Sequence, residues 1–99
     1  MANRSKLLRE YVSRLEEACG EGHDFIVILK YAKRDEAIKR ILEKSKVERA
    51  LSGVLTKVRY KGKEISVFIT GKLILKGLEA RGTAEKILEE LLAPRYNIQ

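Results

Sequence analysis

Catalysis needs acids, bases, nucleophiles or metal ligands that converge on one place, and this chain supplies few of them. It has one histidine, His23, one cysteine, Cys19, and two aspartates, Asp24 and Asp35, beside twelve glutamates. A single histidine offers no convincing Ser-His-Asp set. A single cysteine allows neither an intrachain disulfide nor a thiolate cluster for zinc. His23 follows Gly22 at a strand entrance, where a polar surface role is the ordinary one. Cys19 lies near the end of an amphipathic stretch with no base beside it in sequence, so it reads as a packed thiol. Gly77 to Gly82 carries two glycines but lacks Walker spacing and leads into Thr83. These residue types point away from an enzyme and imply no cofactor and no metal.

What the chain does supply is positive charge. It carries 21 Lys and Arg against 14 Asp and Glu, a formal net charge of +7. Such a balance attracts polyanions at long range. The distribution is sharper than the total. Between Gly53 and Gly77 stand Lys57, Arg59, Lys61, Lys63, Lys72 and Lys76 against the single acid Glu64. From Leu78 onward three bases meet four acids, so the excess does not extend to the last helical stretch.

The elements that must position these cations follow from apolar spacing. Leu7, Leu8, Tyr11, Val12, Leu15 and Ala18 fall at steps of three and four, which predicts a helix from Ser5 to Ala18, with Ser5 as N-cap and Gly20 and Gly22 ending it. Phe25 to Leu29 is a short β-branched run that reads as a buried strand. Asp35 can cap a second helix with Ala37, Ile38, Ile41 and Leu42 on its apolar side, extending towards Ala50 and Leu51 before Gly53 breaks it. Val54 to Tyr60, Ile65 to Ile69 and Leu73 to Leu75 read as strands joined by turns at Lys61-Gly62-Lys63 and Gly71-Lys72. Thr83 can cap a last helix, with Ala84, Ile87, Leu88, Leu91 and Leu92 inward and Pro94 at its end. The order α-β-α-β-β-β-α predicts an α+β fold, a small antiparallel sheet with helices on one face. The 99 residues make a single domain, divided into an N-terminal helix (1–22), an α+β unit (23–93) and a tail (94–99).

Alternation sorts the strand residues by face. Ile65, Val67, Ile69, Leu73 and Leu75 are expected towards the helices. The outer face then mixes Lys57, Arg59 and Lys76 with Leu55, Phe68 and Ile74. Lys and Arg there can meet phosphates, while Phe68 and Ile74 meet bases or sugars. The competing reading makes the cations solvated edge charges and buries Phe68 between subunits.

From Leu51 to Leu91 the sequence resembles the second half of one repeat of the TATA-binding protein family. Leu51-Ser52-Gly53 stands where the family has Phe-Pro-Gly. Phe68-Ile69-Thr70-Gly71-Lys72 follows at a matching distance, then Leu73-Ile74-Leu75-Lys76-Gly77 and the Ala84 to Leu91 helix, with no gap. The strand at Phe25 and the helix at Asp35 fall where the repeat's first strand and helix would. The resemblance implies a half-saddle whose concave sheet meets a widened minor groove, with phenylalanines wedged between base steps. Phe68 matches one wedge phenylalanine and Ile74 a groove-facing valine. Leu51 replaces the other wedge, and Lys76 replaces a groove-facing threonine. The chain holds one repeat where the saddle has two, so a two-fold homodimer would restore the saddle.

The sequence thus predicts a non-enzymatic nucleic-acid-binding protein acting through Lys57, Arg59, Lys61, Lys63, Phe68, Lys72, Ile74 and Lys76. The partner is DNA or RNA, and a single strand suits it at least as well as a duplex. The alternative is a homo-oligomeric scaffold or protein-interaction module. Open sheet edges and an exposed Phe68 predict a dimer or higher oligomer. No apolar run approaches the length of a membrane span, and the N-terminus lacks a signal-peptide core, so a cytoplasmic location is expected. Scarce Asn and Gln beside 35% charged residues resemble the balance of a thermophile's protein.

Overall fold

A computed structural model describes residues 2–18, 23–51 and 53–93, with side chains from Lys6 onward. Cys19, Gly20, Gly22, Ser52, Pro94 and the 94–99 tail lie outside the described residues, as does the side chain of Ser5. The fold is α+β. Helix α1 (Ala2–Tyr11) leads into strands β1 (Val12–Glu17) and β2 (Phe25–Leu29), then a 3₁₀ turn (Tyr31–Lys33) and α2 (Arg34–Lys44). Strands β3 (Lys46–Leu51), β4 (Leu55–Tyr60), β5 (Lys63–Phe68) and β6 (Lys72–Leu75) follow, and α3 (Arg81–Leu92) closes the described chain. The six strands form one antiparallel sheet in the order β1-β2-β6-β5-β4-β3.

Two segments read as helix from their spacing are edge strands instead. Val12 to Glu17 pairs with β2, and Lys46 to Leu51 pairs with β4. Each carries a bulge, at Val12/Arg14 and at Val47/Arg49. An extra residue in a strand lets side chains three apart share a face. Val12 and Leu15 both pack against the core in this way, and Val47 and Ala50 both sit opposite residues of the helix-facing side of β4. The described residues of the 1–22 segment are therefore helix then strand, and the second helix stops at Lys44.

The helix side of the sheet holds the core. Val27, Val58, Ile65, Leu73 and Leu75 are fully buried beneath Ala37 and Ile41 of α2 and Ala84, Leu88, Leu91 and Leu92 of α3. All five apolar residues expected on the inner side of α3 are buried. Ile69 lies on the helix side, beside Ile38 and Leu42 of α2, but β5 ends at Phe68, so Ile69 stands in the following turn and is 57% exposed.

Caps differ as well. α2 and α3 begin after Lys33 and Ala80 with no side-chain cap, so neither Asp35 nor Thr83 caps a helix. Asp35 and Glu36 instead stand in the first turn of α2, where their charge suits the positive end of the helix dipole. The β4–β5 hairpin turns through Lys61 (φ 51°) and Gly62 (φ 79°), the two positive angles that a tight hairpin of this twist requires.

The carboxyl end of α3 is stopped by cations from α2. Arg40 Nη1 donates to the Leu92 carbonyl at 2.8 Å, and Lys44 Nζ donates to the carbonyls of Glu90, at 2.8 Å, and Ala93. These bonds satisfy carbonyls that a helix end otherwise leaves open and set positive charge against the negative end of its dipole. Arg40→Met keeps the alkyl stem but strips the guanidinium from Leu92 and from Glu36, its 2.8 Å ion-pair partner. Charge-assisted bonds of this type are worth about 1–3 kcal/mol, and urea unfolding should show a loss of that order.

Candidate nucleic-acid interface

Residues directly opposite in an antiparallel ladder share a face, so the register assembles the outer surface row by row. One row runs Glu16, Ile26, Ile74, Ser66, Lys57, Arg49 from edge to edge. A second joins Arg14 to Ile28 and Lys72, and Phe68 to Leu55 and Leu51. The two halves of that row meet where the Lys72 ammonium lies over the Phe68 ring, 5.7 Å from its centroid. A third brings Arg59 between Glu64 and Lys46, and the Lys76 amide bonds the Glu64 carbonyl at 3.0 Å. With strands about 4.8 Å apart, the face is on the order of 25 Å wide.

Its centre is apolar and only half covered: Ile26, Ile28, Leu55, Phe68 and Ile74 are partly exposed, around a buried Ser66. Cations surround this strip. Lys57 pairs with Glu64 at 3.5 Å, and Arg59 binds Glu48 at 2.8 Å. The Arg59 bond holds the Glu48 carboxyl below the usual glutamate range and raises the guanidinium in turn. Lys72, Lys76 and Arg49 have no ion pair among the described residues.

The structure brings together six of the eight residues singled out in the sequence: Lys57, Arg59, Phe68, Lys72, Ile74 and Lys76. Lys61 and Lys63 belong to the other side. Lys61 Nζ pairs with Glu90 of α3 at 2.9 Å, and Lys63 sits opposite Tyr60, which packs against the core. A turn reverses the chain but does not carry its cations to the outer face. Arg14, Lys46 and Arg49 join that face unforeseen, because the bulged edge strands that carry them have helix-like spacing.

The chain matches no protein-family model, no curated protein and no solved structure. The case for the site therefore rests on its own chemistry.

Three of the residues set aside as catalytic candidates, His23, Asp24 and Asp35, have structural partners. Asp24 Oδ1 accepts the Gly77 amide at 3.1 Å, and the His23 carbonyl accepts that of Leu78 at 2.8 Å, so together they tie the β1–β2 loop to the end of β6. Asp35 pairs with Arg34 at 3.4 Å. Among the described residues no cluster of His, Cys, Asp and Glu could hold a metal, and no helix is long and apolar enough to cross a membrane.

Three glutamates tie the fold to pH. The Tyr11 hydroxyl donates to Glu36 at 2.7 Å, Arg59 donates to Glu48, and Lys61 and Tyr60 both hold Glu90. Each of these carboxyls is held below its ordinary range, chiefly by its hydrogen bond. A depressed carboxyl takes up its proton more readily in the unfolded chain, so its stabilisation is complete above the ordinary glutamate range and is lost as pH falls through the folded value. The melting temperature should hold steady from about pH 7 to about pH 5 and then drop with further acid. Glu90→Gln should flatten part of that drop.

Proposed function

We propose that this protein binds nucleic acid on the outer face of its sheet, without catalysis. One observation carries the reading: the face that none of the described helices covers joins a half-buried apolar strip (Ile26, Ile28, Phe68, Ile74) to cations with no ion pair among the described residues (Arg49, Lys72, Lys76). Cations supply affinity for any phosphate backbone, and an aromatic ring beside them offers a base a stacking surface. Lys57 and Arg59 stand in the same rows and can exchange Glu64 and Glu48 for phosphates. The resemblance to a TATA-binding-protein repeat supports the same surface, since it assigns contact roles to Phe68, Ile74 and the position of Lys76.

A single strand is the favoured form. Splayed bases can reach Phe68 and the isoleucines directly, whereas paired bases must first be unstacked at a cost of a few kcal/mol per step. Parallel titrations with single-stranded DNA, duplex DNA and RNA of equal length test both points. Binding is expected for all three and tightest for a single strand. Absence of binding to any of them at low salt overturns the reading.

A further inference from the structure

The helices leave a second surface bare, on the opposite side of the sheet. They do not reach the helix-facing side of β3 or the start of β4, where Val47 and Val54 are 50% and 53% exposed. Ile38 and Leu42 of α2 meet Val54 and Ile69 there around two adjoining hollows, of about 420 and 210 Å³. Two of the four large apolar side chains most exposed among the described residues, Val54 and Ile69, meet at this margin. The larger hollow is rimmed by Asp35, Lys39 and Glu43.

Both sheet edges oppose assembly by strand addition. β1 carries Arg14, Glu16 and Glu17 beside its bulge, and β3 carries Lys46, Glu48 and Arg49 beside its own. Bulges and charges of this kind are how sheet edges avoid pairing with other chains. The smaller hollow, between Ile38, Leu42, Val54 and Ile69, has no charged side chain in its lining.

The rim charges show what fits. Asp35, Lys39 and Glu43 alternate in sign at four-residue intervals, so they lie along one side of α2. A two-fold axis passing α2 at the level of Ile41 lays the helix antiparallel on its copy. Lys39 of each chain then faces Glu43 of the other, and the two Leu42 side chains meet near the axis. We propose that this groove is the interface between two copies of the chain. The contact is isologous, so the same residues serve both sides. It buries Ile38, Leu42 and Ile69 and leaves the outer sheet face of each copy open, so it stands whether or not that face binds nucleic acid.

Sedimentation velocity over a dilution series tests this with the whole chain. The wild type should dimerise. Ile69→Asp places a carboxylate in the groove from an exposed turn and should give a monomer with an unchanged circular dichroism spectrum. Lys39→Glu and Glu43→Lys each create two like-charge contacts in the dimer and should weaken it by roughly tenfold or more. The double variant Lys39→Glu/Glu43→Lys restores opposite charges and should recover most of the wild-type affinity, a coupling that independent surface charges would not show. All of these charge changes are at exposed side chains, so folding does not limit the test. A wild type that stays monomeric at its highest soluble concentration overturns the proposal. A dimer indifferent to Ile69→Asp, or a double variant no better than its parents, overturns it equally.

Discussion

Nucleic-acid affinity should fall by roughly 20- to 500-fold between about 50 and 200 mM salt. The range follows from the number of phosphates the outer face can hold. Each neutralised phosphate releases condensed counterions, with a log–log slope near −0.7 per contact on single strands and −0.9 on duplex. Arg49, Lys72 and Lys76 have no ion pair among the described residues, whereas Lys57 and Arg59 must first leave Glu64 and Glu48. Three to five contacts therefore correspond to a slope of roughly −2 to −4.5. Fluorescence anisotropy at four or five salt concentrations measures it. A flat response removes the electrostatic premise, whatever the affinity at a single condition.

The central part of this surface was legible from the sequence because β4, β5 and β6 alternate without irregularity. Leu55, Lys57 and Arg59 can be assigned to one face by parity alone, as can Phe68 and Ile74, and the register agrees. The margins were not legible, and the reason is local. A bulge adds one residue between inward-facing positions, so Val12 and Leu15, or Val47 and Ala50, stand three apart as they would on a helix. Pairing with a neighbouring strand decides such cases, and single-chain periodicity carries no record of it. That is why Arg14, Lys46 and Arg49 were missed while the α3 core was read correctly. Ile69 shows the same limit in smaller form: parity placed it inward, but the strand ends one residue earlier and leaves it at the groove.

The structure also changes what Phe68 means. An aromatic ring on an uncovered sheet face suggests a liability that a second subunit must hide. Here the ring is half-buried, with the Lys72 ammonium over it and Leu55 opposite it. The ring already has a cationic cover that a ligand could displace. The bare apolar surface that calls for a protein partner lies on the other side of the sheet, at Val54 and Ile69. The proposed assembly groove and the proposed nucleic-acid face thus lie on opposite sides of the sheet, so variants on one side are expected to leave the other intact.

Phe68→Ala and Lys76→Ala should separate base contact from phosphate contact on the outer face. If Phe68 stacks on a base, its loss costs about 1–3 kcal/mol, a five- to 150-fold drop in affinity. The salt slope should not change, because no phosphate contact goes with it. Lys76 is exposed and has no ion pair among the described residues, so Lys76→Ala removes charge without exposing an acid. It should weaken binding to every sequence alike and lower the magnitude of the slope by about one unit. A scaffold that buries Phe68, Leu55 and Ile74 between subunits gives the reverse pattern: Phe68→Ala breaks the assembly, and Lys76→Ala does little. Both substitutions lie on the face away from the core, so thermal melting should show each variant folded. Wild-type affinity and slope in a folded Phe68→Ala variant would exclude the ring from the contact. An unchanged slope in Lys76→Ala would remove this end of β6 from the phosphate path and confine the site to Lys72, Lys57 and Arg49, because these cations share the remaining rows of the sheet.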